Sequence, residues 1–259
     1  MQRLTTLSVV IPARNEAGRI GRAIRAVDDV LARASIEHDL LVVDDASTDA
    51  TGREALAEEV PCPLAVLSYP AAKGKGGALT TGFAAASGDF VAFIDADLEF
   101  PPHALVDLWR TVLGRSDPYR TCAAGVRSGD GRTRAERASS LLARAAIRLA
   151  LRLPLRDTQA GLKLFPGWFA RQVLTGAVES GWLADVEFLM LARASGLDVV
   201  GVPLRQERVR PRRATTREFL RCLPALARLA ASAPSLQVAA ARAYSAPRSA
   251  EPSDARASR

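Results

Sequence analysis

The feature that most constrains this chain is an alternation. Short β-rich apolar runs at residues 7–11, 40–43, 64–67 and 90–94 are each separated from the next by a stretch carrying helical spacing or helix-start signals. After Glu16, apolar residues recur at Ile20, Ala23, Ile24, Val27, Val30 and Leu31. A second helix is predicted over 51–59, behind the capping candidates Ser47 and Thr48, and a third over 78–86. Strands separated by helices run parallel, and their crossovers cover both faces of the sheet. The expected fold class is therefore α/β, a mostly parallel central sheet flanked by helices in a single domain.

Further along, the reading gives a strand at "TCAAGV", a long Arg-rich helix over 133–153, an irregular stretch over 157–165, a helix over 185–194, a strand over 199–204 and a basic helix from Thr216. Beyond Gln237 the chain is Ala, Ser, Pro and Arg without periodicity, which predicts a catalytic domain over 1–236 and a disordered tail over 237–259. The first apolar run is too short for a signal peptide, and no run reaches the roughly 20 residues a membrane span needs. Any membrane contact is expected to be peripheral.

Lysine plus arginine exceeds aspartate plus glutamate by 35 − 28 = 7, a balance that favours anionic partners such as nucleotides, phospholipid surfaces or nucleic acid. The three cysteines, Cys62, Cys122 and Cys222, have no paired spacing, so neither a disulfide framework nor a zinc site is expected, and a reducing compartment fits. The two histidines, His38 and His103, fall outside every motif and read as surface or capping residues.

In open α/β sheets, ligands bind where strands end in their carboxyl-edge loops. Two acidic clusters fall there, Asp44–Asp45 and the pair Asp95 and Asp97 of "FIDADLEF". Alternate residues of a strand share a face, so Asp95 and Asp97 bring two like charges together, which is costly without a proton or a bridging cation. A hard divalent ion, Mg²⁺ or Mn²⁺, shared with substrate phosphates satisfies them, and Glu99 can reach the same ion. An aspartate in a turn after a strand is by itself unremarkable; two on one face are less so.

"VVIPARNE" and "VVDDASTDAT" read as loops holding the base and ribose of a nucleotide, with Asp45 accepting from ribose or base; Asn15, Ser47 and Asp49 read equally well as helix caps. "KGKGGAL" sets glycines and lysines before a helix start, where amides and the helix dipole attract phosphate, although it lacks the spacing of a P-loop. The donor-binding set is Pro12, Arg14, Glu16, Asp44, Asp45, Lys73, Gly74, Lys75, Asp95 and Ala96.

These segments, with "DTQAGLKLF" and "WLADVEFL", resemble in order and spacing the family 2 glycosyltransferases of the GT-A (Rossmann-like) fold, over about residues 6–210. More narrowly they are similar to the dolichyl-phosphate (polyprenyl-phosphate) hexosyltransferases, with "DTQAGLKLF" closest to the glucosyl branch. The resemblance implies an inverting transfer of a hexose from UDP-glucose or GDP-mannose to a polyprenyl phosphate at the cytoplasmic membrane face. It implies metal ligation by Asp95 and Asp97, while Glu99 stands where the family often has glutamine or a shorter polar residue. It places Asp157 and Gln159 on the sugar and acceptor side, and makes Asp185 and Glu187 the later acidic pair; with Asp97, these form the expected catalytic set.

For the acceptor phosphate the resemblance points to Arg127, Arg134, Arg137 and Ser140, with Arg208 or Arg210 from the far side. Counting back from Asp157 puts Glu136 where a relative has its basic residue. A solvated face is the plain alternative for any one arginine. Arg144, Arg148 and Arg152 recur every four residues beside an apolar face, as an interfacial helix or an ordinary surface helix would have them. A phosphate monoester is largely dianionic at neutral pH, its second pKa being about 6, so such an acceptor needs no strong base.

Three other readings compete. A family 2 transferase with a saccharide or small-molecule acceptor would need Asp185 or Glu187 as base. A sugar-1-phosphate nucleotidyltransferase would want a Gly-rich loop after the first strand, which "PARNEAG" fits poorly. A nucleic-acid-binding protein would leave clustered carboxylates facing a phosphate backbone, so no nucleic acid is expected.

Overall fold

The computed structural model of the chain describes residues 5–128, 160–179, 181 and 183–205. Seven strands form one sheet in the order β3-β2-β1-β4-β6-β5-β7. They are β1 (Thr6–Ala13), β2 (Glu37–Asp44), β3 (Leu64–Ser68), β4 (Phe90–Ile94), β5 (Thr121–Ser128), β6 (Leu162–Pro166) and β7 (Asp198–Arg205). Every neighbouring pair is parallel except the two that involve β6, which runs against both β4 and β5. The described helices are α1 (Ile20–Arg33), α2 (Thr51–Leu56), α3 (Gly74–Ala85), α4 (His103–Leu113), α5 (Gly167–Gln172) and α6 (Ala184–Ala194).

Strand alternation builds two cores. Leu7, Val9 and Ile11 of β1, with Leu40, Val42, Phe90 and Ala92, face the layer containing α1 and α4. Val10, Leu41, Val43, Val91 and Phe93 face the opposite layer with α3, α5 and α6. A one-residue slip of any central strand would exchange these sets, so burial on both faces pins the register. Phe83 of α3 anchors the second core, its ring centroid 6.3 Å from Phe93, 6.2 Å from Phe165 and 5.4 Å from Phe188.

Several expectations need correction. The stretch over 157–165 is expected to be irregular, yet Leu162–Pro166 is a wholly buried strand between β4 and β5. The third helix starts at Gly74, so the glycine–lysine motif forms its first turn rather than a loop before it. α2 stops at Leu56, and it is Asp49 Oδ1 that accepts the Thr51 amide, while Ser47 and Thr48 bond to Asn15 instead. α4 and α5 had no counterpart in the sequence reading. His38 is no surface residue: its side chain is 5% exposed and lies 3.1 Å from Asp28. The helices expected over 133–153 and from 216, and the boundary at 236, lie outside the described residues.

Candidate active site

The loops after β1 and β2 are stitched together. The Asn15 amide donates to Ser47 Oγ at 2.9 Å, and the Thr48 amide donates to Asn15 Oδ1 at 2.9 Å. The Glu16 amide donates to Thr51 Oγ1 at 2.7 Å, and the Ala17 amide to Asp49 Oδ2 at 3.2 Å. Asn15, Ala46 and Leu98 all hold positive φ, of 54°, 53° and 49°. Each follows a strand at the carboxyl edge of the sheet, where such conformations mark backbone held by its surroundings. Pro12, the penultimate residue of β1, lies beyond the last β1–β4 pair, so its missing amide breaks no ladder on that side.

Asp45 is 4% exposed and accepts from the amides of Lys73 (2.6 Å) and Gly74 (3.0 Å) and from the Tyr69 hydroxyl (2.9 Å), with Arg14 at 3.6 Å. It therefore holds the start of α3, where unpaired amides and the helix dipole favour a carboxylate. Burial, with Asp45 beside it, pushes the Tyr69 hydroxyl above its ordinary pKa. Asp44 accepts the Ser47 amide at 3.1 Å and Glu16 pairs with Arg19, so both shape these loops.

The centre of the site is an alternating row of charges. Lys75 projects from the first turn of α3 to Asp95, at 2.8 Å, and to Asp185, at 3.3 Å. Asp185, in the first turn of α6, meets Lys163 at 3.1 Å, and Lys163 also donates to the Ala160 carbonyl at 2.8 Å. Lys163 is fully buried as the second residue of β6, opposite Phe93 in register, and the ammonium groups of Lys163 and Lys75 lie over that ring, at 5.2 and 5.4 Å. Burial opposes charge on Asp185, but the ammonium groups of Lys163 and Lys75 outweigh it and hold the carboxyl below its ordinary value. Burial likewise opposes charge on Lys75, and Asp185 and Asp95 reverse that, raising it above the ordinary lysine value.

Gly161 explains how closely β6 approaches the first aspartate. The Asp95 amide donates to the Gly161 carbonyl at 3.1 Å, and a Cβ at 161 would overlap the Asp95 carboxylate. Asp97 accepts the Glu99 amide at 3.2 Å, and Glu99 lies 3.6 Å from Arg127 at the end of β5. Ala96 is buried between the two aspartates. β4 ends at Ile94, so Asp95 and Asp97 lie in a turn and not on one strand face. They offer the hard oxygen donors Mg²⁺ or Mn²⁺ takes, but Asp95 is paired with Lys75, Glu99 lies toward Arg127, and the three carboxylates do not converge as a ligand set.

Glu187 turns away from this row. It is 1% exposed and accepts the amides of Val178 (3.1 Å) and Glu179 (2.8 Å), so it fixes the segment before α6. The structure thus joins Lys75, Asp95 and Asp185 directly and sets Asp97, Glu99 and Arg127 on the same edge. Asp157, Gln159, Arg134, Arg137, Ser140, Arg208 and Arg210 lie outside the described residues. Lys163 and Tyr69 were missed. A lone lysine inside "LKLF" was the available signal, since a charge in an apolar strand between buried neighbours requires a partner.

A three-layer α/β fold with acidic loops at the carboxyl edge of its sheet is a setting in which such folds bind ligands, and comparison with known proteins narrows the class. Residues 8–166 match the family described as Glycosyl transferase family 2. The chain belongs to that family. It is 28% identical over 220 residues to dolichyl-phosphate beta-glucosyltransferase of Saccharomyces cerevisiae, covering 76% of this chain and 66% of that one. It is 39% identical over 107 residues to glucosyl-3-phosphoglycerate synthase of Mycobacterium tuberculosis, covering 40% of this chain and 32% of that one. The chain thus spans two thirds or less of the length of these curated relatives. The crystal structure of the Mycobacterium tuberculosis synthase in complex with Mn²⁺, UDP and glucosyl-3-phosphoglycerate superposes with a TM-score of 0.61 at 25% identity, covering 91% of this chain and 80% of that one.

Proposed function

We propose that the protein transfers a hexose, with inversion, from a nucleotide sugar to a phosphate-bearing acceptor, and that this acceptor is a polyprenyl phosphate. The observation that carries the acceptor reading is the commitment of the late acidic pair. Asp185 is bound by two ammonium groups and Glu187 by two backbone amides, so neither is placed as a base. A dianionic phosphate needs none. The likeness to the yeast dolichyl-phosphate enzyme supports it further, because that match runs over 76% of the chain and so reaches beyond the donor loops.

In this reading an acceptor phosphate oxygen attacks the anomeric carbon, and the bond from that carbon to the diphosphate breaks as the nucleoside diphosphate leaves. Asp95 and Asp97 would hold Mg²⁺ or Mn²⁺, which when bound offsets the charge developing on the leaving diphosphate. Lys75 adds a fixed ammonium at Asp95, held in place by Asp185, and Lys163 keeps Asp185 charged and oriented. The stitched loops carrying Pro12, Arg14, Glu16 and Asp44 shape the nucleoside side, and Asp45 sets the register of Lys73 to Lys75. Arg127 supplies positive charge beside Glu99, with Arg134, Arg137, Ser140, Arg208 and Arg210 proposed to join it around the acceptor phosphate, and Asp157 and Gln159 around the sugar. Positioning and electrostatics carry the step.

No described helix is long and apolar enough to cross a membrane. Meeting a lipid acceptor by peripheral association at the cytoplasmic face is part of the proposal. A second reading, a soluble phosphorylated acid as acceptor, is favoured by the superposition on the phosphoglycerate enzyme over 91% of the chain. A matrix of UDP-glucose and GDP-mannose against a short polyprenyl phosphate and 3-phosphoglycerate, with products weighed by mass spectrometry, decides between them. Glycosylated lipid phosphate is the expected product; product with phosphoglycerate alone would remove the lipid reading.

A further inference from the structure

At the opposite edge of the sheet, away from the donor loops, three different ligand types converge. Asp28 of α1, His38 near the start of β2 and Cys62 just before β3 place one ligand atom each within 4.8 Å of one another. From His38 to the carboxyl end of β2 at Asp44 the strand rises about 20 Å, at roughly 3.3 Å per residue, so this cluster is separate from the site described above.

The hydrogen bonding around His38 sets its tautomer. Nδ1 lies 2.8 Å from the Ile36 carbonyl, which can only accept, so Nδ1 carries the hydrogen. Nε2 faces Asp28 Oδ1 at 3.1 Å, and both side chains are nearly buried, 5% and 8% exposed. In neutral imidazole those two atoms are both acceptors, aimed at each other. The arrangement needs positive charge between them. A proton on Nε2 satisfies the histidine and aspartate alone; a divalent ion satisfies these two and the sulfur together. Histidine that gives its other nitrogen to a backbone carbonyl is also the arrangement that orients metal-bound imidazole.

We propose that Asp28, His38 and Cys62 bind a zinc ion that clips α1, β2 and the segment before β3 together. A mixed sulfur, nitrogen and oxygen set suits Zn²⁺, whereas the all-oxygen donors Asp95 and Asp97 suit Mg²⁺ or Mn²⁺. Zinc bond lengths of about 2.0–2.3 Å put tetrahedral ligands roughly 3.3–3.8 Å apart, a separation the cluster reaches with small side-chain movements. Cys62 is only half-buried, which leaves a fourth position for water. Burial and the neighbouring Asp28 push the Cys62 thiol up to about 12, so without metal it stays protonated; on ligation the sulfur bonds the metal and that proton passes to solvent.

The test uses the full chain carrying Asp97→Asn, which removes the oxygen site from the readout. After dialysis into Mg²⁺ buffer the protein should retain one equivalent of zinc by elemental analysis. Replacing it with Co²⁺ should give a sulfur-to-metal charge-transfer band, absent for oxygen ligands. Cys62→Ser and, as a milder variant, Asp28→Asn should lower zinc affinity at least about 100-fold with the near-ultraviolet circular dichroism intact. Cys222→Ser should leave the band unchanged. No band with Co²⁺, or a band that survives Cys62→Ser, overturns the proposal, and neither outcome touches the transferase reading.

Discussion

The two halves of the active edge satisfy their charges by different means. Around β1, β2 and α3, carboxylates and polar side chains are held by backbone amides: Asp45 by Lys73 and Gly74, Asp44 by Ser47, Asp49 by Ala17 and Thr51. Around β4, β6 and α6, charge is held by charge, in the row Asp95, Lys75, Asp185 and Lys163. A carboxylate held by several donors survives the loss of one at the cost of a single hydrogen bond. A buried ion pair does not, since removing one member strands the other.

The sharpest way to break that contrast is Lys163→Met. It leaves Asp185 buried with only the part-exposed Lys75, and should destabilise the fold by about 3–5 kcal/mol, read as a lower urea midpoint. Adding Asp185→Leu to it should recover a large part of the loss; full additivity would show that the row is not a coupled unit. Next, Asp97→Asn should lower kcat roughly 10²–10³-fold with the urea midpoint unchanged, as should removal of divalent metal by chelation, because both act on charge that develops only as the diphosphate leaves.

The two halves also differ in how legible they were. The loops after β1, β2 and β4 announce themselves in sequence, because Asn, Asp, Ser and Thr clusters after apolar runs have local reasons to be there. Asp95 and Asp97 raised the need for a cation, and the structure supplies one in Lys75, 20 residues earlier in the chain. Its contact with Asp185, across a separation of 110 residues, has no local signature. β6 was missed for a related reason: its lysine breaks the apolar run, and the partner that makes the lysine tolerable lies 22 residues further on. The grouping of Asp28, His38 and Cys62 has no sequence signature either, because its three members come from separate elements.

Smaller effects sharpen the comparison. Gly161→Ala forces a methyl group onto Asp95 and should cost about 1–3 kcal/mol together with a loss in kcat, since the carboxylate is pinned by Lys75 and cannot step aside freely. The acid limb of stability should report Asp185. Its folded pKa is depressed, so its stabilisation is fully present above the unfolded value of 3.8 and is lost as pH falls through the folded value. Whatever the drop at neutral pH, Asp185→Asn should flatten that limb by up to about 1.4 kcal/mol per pH unit. In the amide-held half, Asp45→Ala should raise the donor KM roughly tenfold, about 1.4 kcal/mol, with kcat little changed, because it loosens a loop that meets ground and transition states alike.

The central claim is that an already charged acceptor makes a protein base unnecessary. Initial rates with a short polyprenyl phosphate and with the matching neutral polyprenol, in the wild type and in Asp185→Asn, test it most directly. The account predicts transfer to the phosphate at least about 10²-fold more efficient than to the alcohol, and an Asp185→Asn variant that is slower yet keeps the shape of the wild-type pH–rate profile. Efficient transfer to the neutral alcohol that disappears in Asp185→Asn would contradict it and make Asp185 a base.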